Sequence, residues 1–121
     1  MLEVDDPGKS QLLHEQTTSK IIGAAFEVHD QLSNGFLERV YQRALQVELL
    51  RRGATAEIEK RIQLHYKGVV VGDYDADLIV DSCVAVETKA QLLNELKATG
   101  LKVGLLVNFG RNKVEYKRLV F

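Results

Sequence analysis

Asp77, Glu87 and Lys89 are the residues of this chain whose types and spacing could do chemistry. Side chains alternate faces along a strand. In "GDYDADLIVD", residues 72–81, one face carries Tyr74, Ala76, Leu78 and Val80; the other carries Asp73, Asp75, Asp77, Ile79 and Asp81. In "SCVAVETK", residues 82–89, Val84, Val86 and Thr88 share one face, and Cys83, Ala85, Glu87 and Lys89 the other. A hairpin near Ser82 joins the two stretches. A two-residue turn would mix apolar with charged sides. A three-residue turn sets Val80 beside Val84, Leu78 beside Val86 and Asp77 beside Glu87. A slip of one residue flips a strand's whole side-chain set, so the apolar pattern selects the second register.

Two carboxylates directly across a sheet repel each other, and the pair calls for a cation. Mg²⁺ is the first candidate, with Mn²⁺ an alternative. It takes a few carboxylate or carbonyl oxygens and keeps its waters. Such an ion lowers the pKa of bound water and steadies a phosphoryl transition state. Lys89 would then orient the attacking water or neutralise developing charge. A solvated acidic strand edge, with Lys89 as an ion-pair partner, accounts for the same pattern, because exposed faces of antiparallel sheets are commonly charged.

The elements that must position these residues follow from periodicity. A first helix is expected over roughly 17–32, with Ile21, Ile22, Ala25, Phe26, His29 and Leu32 on one stripe. Ser33-Asn34-Gly35 breaks it. A second is expected over about 37–52, with Tyr41, Leu45 and Leu49 facing inward and Gly53 as its stop. Glu38 lies one turn before Tyr41 on that stripe, and a carboxylate on a buried face is costly without a partner. Strands are expected at 57–68, 69–80 and 82–90. A third helix follows, carrying Leu92, Leu93 and Leu96 and closing at Thr99-Gly100. A last hairpin turns across Phe109-Gly110-Arg111. The order α-α-β-β-β-α-β-β suits an α/β (α+β) sandwich with a mixed sheet. Residues 1–13 read as a flexible tail and 14–121 as a single domain.

The totals agree with one globular domain: 121 residues, 45% of them hydrophobic. Sixteen Lys and Arg against 17 acids give a net charge of −1, which argues against tight, nonspecific coating of nucleic acid but leaves room for a local basic groove. Candidate cations are Arg39 and Arg43 on the second helix, Lys60 and Arg61 at the first strand, and Lys97 and Lys102 around the third helix. The single cysteine, Cys83, excludes an internal disulfide framework and reads as a small core residue. The polar, acidic start "MLEVDDPGKSQ" does not read as a signal peptide, and no apolar run approaches a membrane span. A cytoplasmic setting is expected.

The pattern Asp77, nine residues, Glu87-Thr88-Lys89 resembles the signature of the PD-(D/E)XK nuclease superfamily. "GFLERVY", Gly35 to Tyr41, resembles the motif that names the GxxExxY family within it, and the similarity extends in order over roughly 17–120. The resemblance implies a restriction-endonuclease-like core: an antiparallel meander flanked by helices and a further strand. It implies metal-dependent hydrolysis of a phosphodiester, with nucleic acid, DNA first, as partner. By position, Asp77 and Glu87 resemble metal ligands with the Thr88 carbonyl as a third, and Lys89 and Glu38 resemble the catalytic lysine and an additional helix-borne acid. His29 and Tyr41 stand at supporting positions, and Arg39, Arg43 and Lys97 at candidate nucleic-acid contacts. Asp75 stands where members more often have Arg, and Glu95 where they often have Tyr. The connection from Lys89 to Gln91 is shorter than members usually carry. A junction that short could exchange the C-terminal elements between two copies and make a swapped homodimer. A weakly active or inert nucleic-acid-binding or protein-interaction module on the same fold is the alternative.

Overall fold

The computed structural model describes residues 3–4, 13–88 and 99–121. Its elements are β1 (Glu3–Val4), α1 (Glu15–Leu32), α2 (Glu38–Arg51), β2 (Ala56–Tyr66), β3 (Val69–Val80), β4 (Val84–Glu87), β5 (Val103–Phe109) and β6 (Val114–Val120). The third helix expected after Ala90 lies outside the described residues, as do Lys89, Glu95 and Lys97. The short β1 falls within the stretch read as a tail, and pairs with β6.

Both helices stop where the sequence says they should. α1 ends at Ser33, whose N–H reaches the His29 carbonyl at 2.8 Å. α2 closes with two bonds, Gly53 N–H to Leu50 O at 3.1 Å and Ala54 N–H to Leu49 O at 3.0 Å. That is the Schellman arrangement. It needs a residue in the left-handed region at Gly53, where φ is +84°.

The strands form one mixed sheet in the order β1-β6-β5-β4-β3-β2. All neighbours are antiparallel except β4 and β5, which run parallel. The architecture is α+β and compatible with a restriction-endonuclease-like fold. On one face, Ile21, Ala24, Ala25, Leu45 and Leu49 of the helices pack on Leu78, Val80, Val84, Val86, Val103 and Leu105. A second apolar cluster holds Ala76, Ile79, Ala85 and Leu119, with Tyr74, Leu106 and Phe121 against it. All four residues of β4 are buried, as expected of a central strand next to a parallel partner.

Three details depart from the sequence reading. The buried stripe of α1 is Thr18, Ile21, Ala24, Ala25 and Val28. Phe26 is 46% exposed and meets Tyr116 edge to face, so the helix is rotated from the expected stripe. Glu38 is exposed rather than buried. It is the first residue of α2, and the buried face begins only at Tyr41 and Gln42. Finally, Tyr74, Ala76, Leu78 and Val80 do not share a face: Leu78 and Val80 join the helix-side core, Tyr74 and Ala76 the other cluster. The change falls at Asp77. Register passes from Ile58–Leu78 to Lys60–Ala76 without pairing Glu59 to Asp77, and Glu59 has φ +53°. One residue in that conformation turns the strand pair locally, with the register unchanged on either side.

Candidate active site

β3 and β4 pair Val80 with Val84 and Leu78 with Val86. This brings the next residues out, Asp77 and Glu87, into electrostatic contact. Glu87 has no exposed surface. Its Oε1 accepts from the Tyr74 hydroxyl at 3.4 Å. Its Oε2 is buried and has no hydrogen-bond partner among the described residues. Burial first, and the negative charge of Asp77 second, push the Glu87 carboxyl up to about 8. The Asp77 backbone, by hydrogen bonding, and more weakly the Tyr74 hydroxyl pull the other way.

Asp77 is held differently. Its Oδ2 accepts twice from Thr88, from the backbone N–H at 2.9 Å and from Oγ1 at 2.7 Å. Its backbone carbonyl accepts from Gln42 Nε2 at 2.9 Å. A cavity of about 270 Å³ opens beside it, lined by Glu38, Arg39, Gln42, Glu59, Asp75, Asp77 and Thr88. A second, of about 440 Å³, adjoins Glu87 and Thr88 and is walled by β5 and β6. Thr88 lines both, so the acidic pair stands between two open spaces.

The residues singled out from sequence divide into groups. Asp77, Glu87 and Thr88 are in mutual contact, and Glu38 lines the same cavity as Asp77. Glu38 does not complete a three-acid cluster: among the described residues, no three Asp, Glu, His or Cys side chains gather closely enough to hold a metal ion. Tyr41 is buried; its hydroxyl donates to Ser33 O at 2.7 Å and accepts from Phe36 N–H at 3.3 Å. Its ring stacks on Phe109 with centroids 4.7 Å apart. His29 is half-buried and donates from Nε2 to the Gly110 carbonyl at 2.7 Å, tying α1 to the β5–β6 turn. Arg39 lies 3.8 Å from the Glu59 carboxylate, and Arg43 is exposed. Arg61 binds Asp75 at 2.6 Å and Asp73 at 3.4 Å, and Lys60 binds Glu57 at 3.3 Å, so both β2 cations face acids.

Gln42 and Tyr74 were not singled out in the sequence. Gln42 carried a signal nonetheless: a polar amide four residues after Glu38 and three before Leu45, hence at the edge of the apolar stripe. Tyr74 carried none, because its approach to Glu87 depends on the reorientation at Asp77.

A family model of the PD-(D/E)XK nuclease superfamily matches residues 15–119, and the chain belongs to that superfamily. Its members generally use divalent metal ions, and their substrate is nucleic acid. No curated protein and no solved structure matches the chain. No helix among the described residues is long and apolar enough to cross a membrane.

Proposed function

We propose that this chain is a metal-dependent nuclease of the GxxExxY type that hydrolyses phosphodiester bonds in nucleic acid, DNA first. One observation carries the reading: Glu87 Oε2 is buried, without a hydrogen-bond partner among the described residues, against a second carboxylate. An orphaned buried oxygen is costly. Two carboxylates in contact are costlier still, unless a cation or a proton joins them. Hard oxygen donors of this kind suit Mg²⁺ or Mn²⁺.

Asp77 and Glu87 would hold the ion, with the Thr88 carbonyl as a third ligand. Bound there, the ion would supply an acidified water and charge stabilisation at phosphorus. The protein's part is positional. Thr88 loads Oδ2 of Asp77 with two hydrogen bonds and so fixes the carboxylate plane. Glu38, at the rim of the Asp77 cavity, would orient water on the helix side. Lys89, the residue after Thr88, would face the developing negative charge. Arg39 and Arg43, four apart on α2, with Lys97, would contact flanking phosphates. Tyr41 and His29 would support the site by fixing α2 and the β5–β6 turn.

A second reading, a weakly active or inert binding or interaction module, draws on the pairing of Arg61, Lys60 and Arg39 with acids. A swapped homodimer would rest on the Lys89–Gln91 junction. A cytoplasmic setting goes with a reduced Cys83. The decisive test is cleavage of single- and double-stranded DNA and RNA with Mg²⁺ or Mn²⁺. Asp77→Asn and Lys89→Ala should each reduce the rate by at least about a hundredfold. Cleavage unchanged in both variants would remove the nuclease assignment of this site.

A further inference from the structure

The Asp77 backbone is held by a residue on another element. Asp77 lies where the β2–β3 ladder is interrupted: Glu59, the residue that would face it, has φ +53°, and no pair joins the two. A strand residue without its ladder partner has a carbonyl that must find another donor. Gln42 supplies one. It is 6% exposed, and its Nε2 reaches the Asp77 carbonyl at 2.9 Å. Gln42 also lines the cavity into which Asp77 opens. The bond therefore joins α2 to β3 at a point where its ladder with β2 is interrupted.

We propose that Gln42 is a positioning residue for the metal ligand Asp77. It holds the interrupted backbone in the rotation that brings the carboxylate onto Thr88 and against Glu87. The proposal rests on the metal-site reading. Gln42 touches no reacting atom; it acts through the peptide of Asp77, as the outer partners of metal ligands do.

The same helix contains its own control. Gln46, one turn on, donates from Nε2 to the Ala56 carbonyl at 3.0 Å. The chemistry is the same, helix amide to strand carbonyl, but Ala56 pairs with Val80, where the β2–β3 ladder is intact. Gln46 is not in the lining of the Asp77 cavity. A purely structural role would make the two glutamines equivalent.

The experiment is a Mn²⁺ titration by calorimetry on the full chain, comparing wild type, Gln42→Met, Gln46→Met and Asp77→Asn, with thermal melts alongside. Gln42→Met should weaken Mn²⁺ binding by about tenfold or more. Gln46→Met should lower the melting temperature similarly and leave Mn²⁺ affinity unchanged. If Gln42→Met does not fold, Gln42→Asn, too short to reach the carbonyl, should show a similar loss. Equal Mn²⁺ affinity in the Gln42 variant and wild type, or equal losses at Gln42 and Gln46, would overturn the proposal alone. Wild type and Asp77→Asn binding Mn²⁺ alike, or neither binding, would overturn the metal-site reading and this proposal with it.

Discussion

A carboxyl at about 8 spends neutral pH mostly protonated, and for Glu87 the cause is burial before repulsion from Asp77. In the unfolded chain the same group titrates in the ordinary carboxylate range, near 4.5. The native state thus holds a proton that the unfolded state releases over the window from about 4.5 to about 8. Stability from this group is complete below that window and declines as pH rises through it. Glu87→Gln keeps the shape and removes the charge. Without divalent metals at pH 9, the variant should melt about 5 °C above wild type, the two converging below pH 5. Parallel curves in circular-dichroism melts from pH 5 to 9 would assign the decline to another group. The Asp77–Glu87 neighbourhood was legible in the sequence because Val80, Val84, Leu78 and Val86 admit one register. The place of Gln42 at the edge of the apolar stripe was visible, but its role was not: its partner is a backbone carbonyl, which no side-chain pattern advertises.

The four aspartates of β3 and its turn look equivalent in sequence and do three different jobs. Asp73 and Asp75 bind Arg61 across the ladder. Asp77 turns to Thr88. Asp81 closes the turn: Oδ1 accepts from Thr55 N–H at 2.8 Å, Oδ2 accepts from Thr17 Oγ1 at 3.3 Å, and its own N–H reaches Thr55 O at 3.0 Å. It does this at φ +50°, a conformation Asp tolerates better than most residues. Asp81→Ala should therefore cost about 1–2 kcal/mol, through lost acceptors and backbone strain together. Asp81→Asn, keeping an acceptor and tolerance of that φ, should cost less. Urea melts of both variants test the ranking; equal losses would leave the carboxylate charge, not the turn geometry, as the cause. Alternation could not separate these roles because it assumes an unbroken ladder. The break lies on the neighbouring strand, at a glutamate whose positive φ has no sequence signature. Glu38 was misjudged for a related reason: helical periodicity gives the stripe but not the point along the axis where burial begins.

Across the whole molecule, charge limits what the site can grip. The net charge is −1, and near the acidic pair Arg61 is held by Asp73 and Asp75 while Arg39 leans on Glu59. An arginine already facing a carboxylate can turn to a phosphate only by giving up that partner, so its contribution to affinity is reduced. Arg43 is exposed on the same helix as Arg39 and is the better-placed candidate for a phosphate contact. Nucleic-acid binding should therefore be weak and salt-dependent. With about three phosphates engaged, the logarithmic salt slope should be near −2.7. Arg43→Glu should lower that slope by about one and weaken all sequences alike, as loss of a phosphate contact does. Glu59→Gln should strengthen binding, because Arg39 would lose the acid that competes with phosphate. Fluorescence anisotropy of labelled oligonucleotides from low to moderate salt, with Ca²⁺ to hold the site without cleavage, measures all three. Absence of binding at the lowest salt would leave this chain an interaction module on a nuclease fold. Binding unaffected by both substitutions would move the nucleic-acid path off the α2 face and toward the cavity walled by β5 and β6.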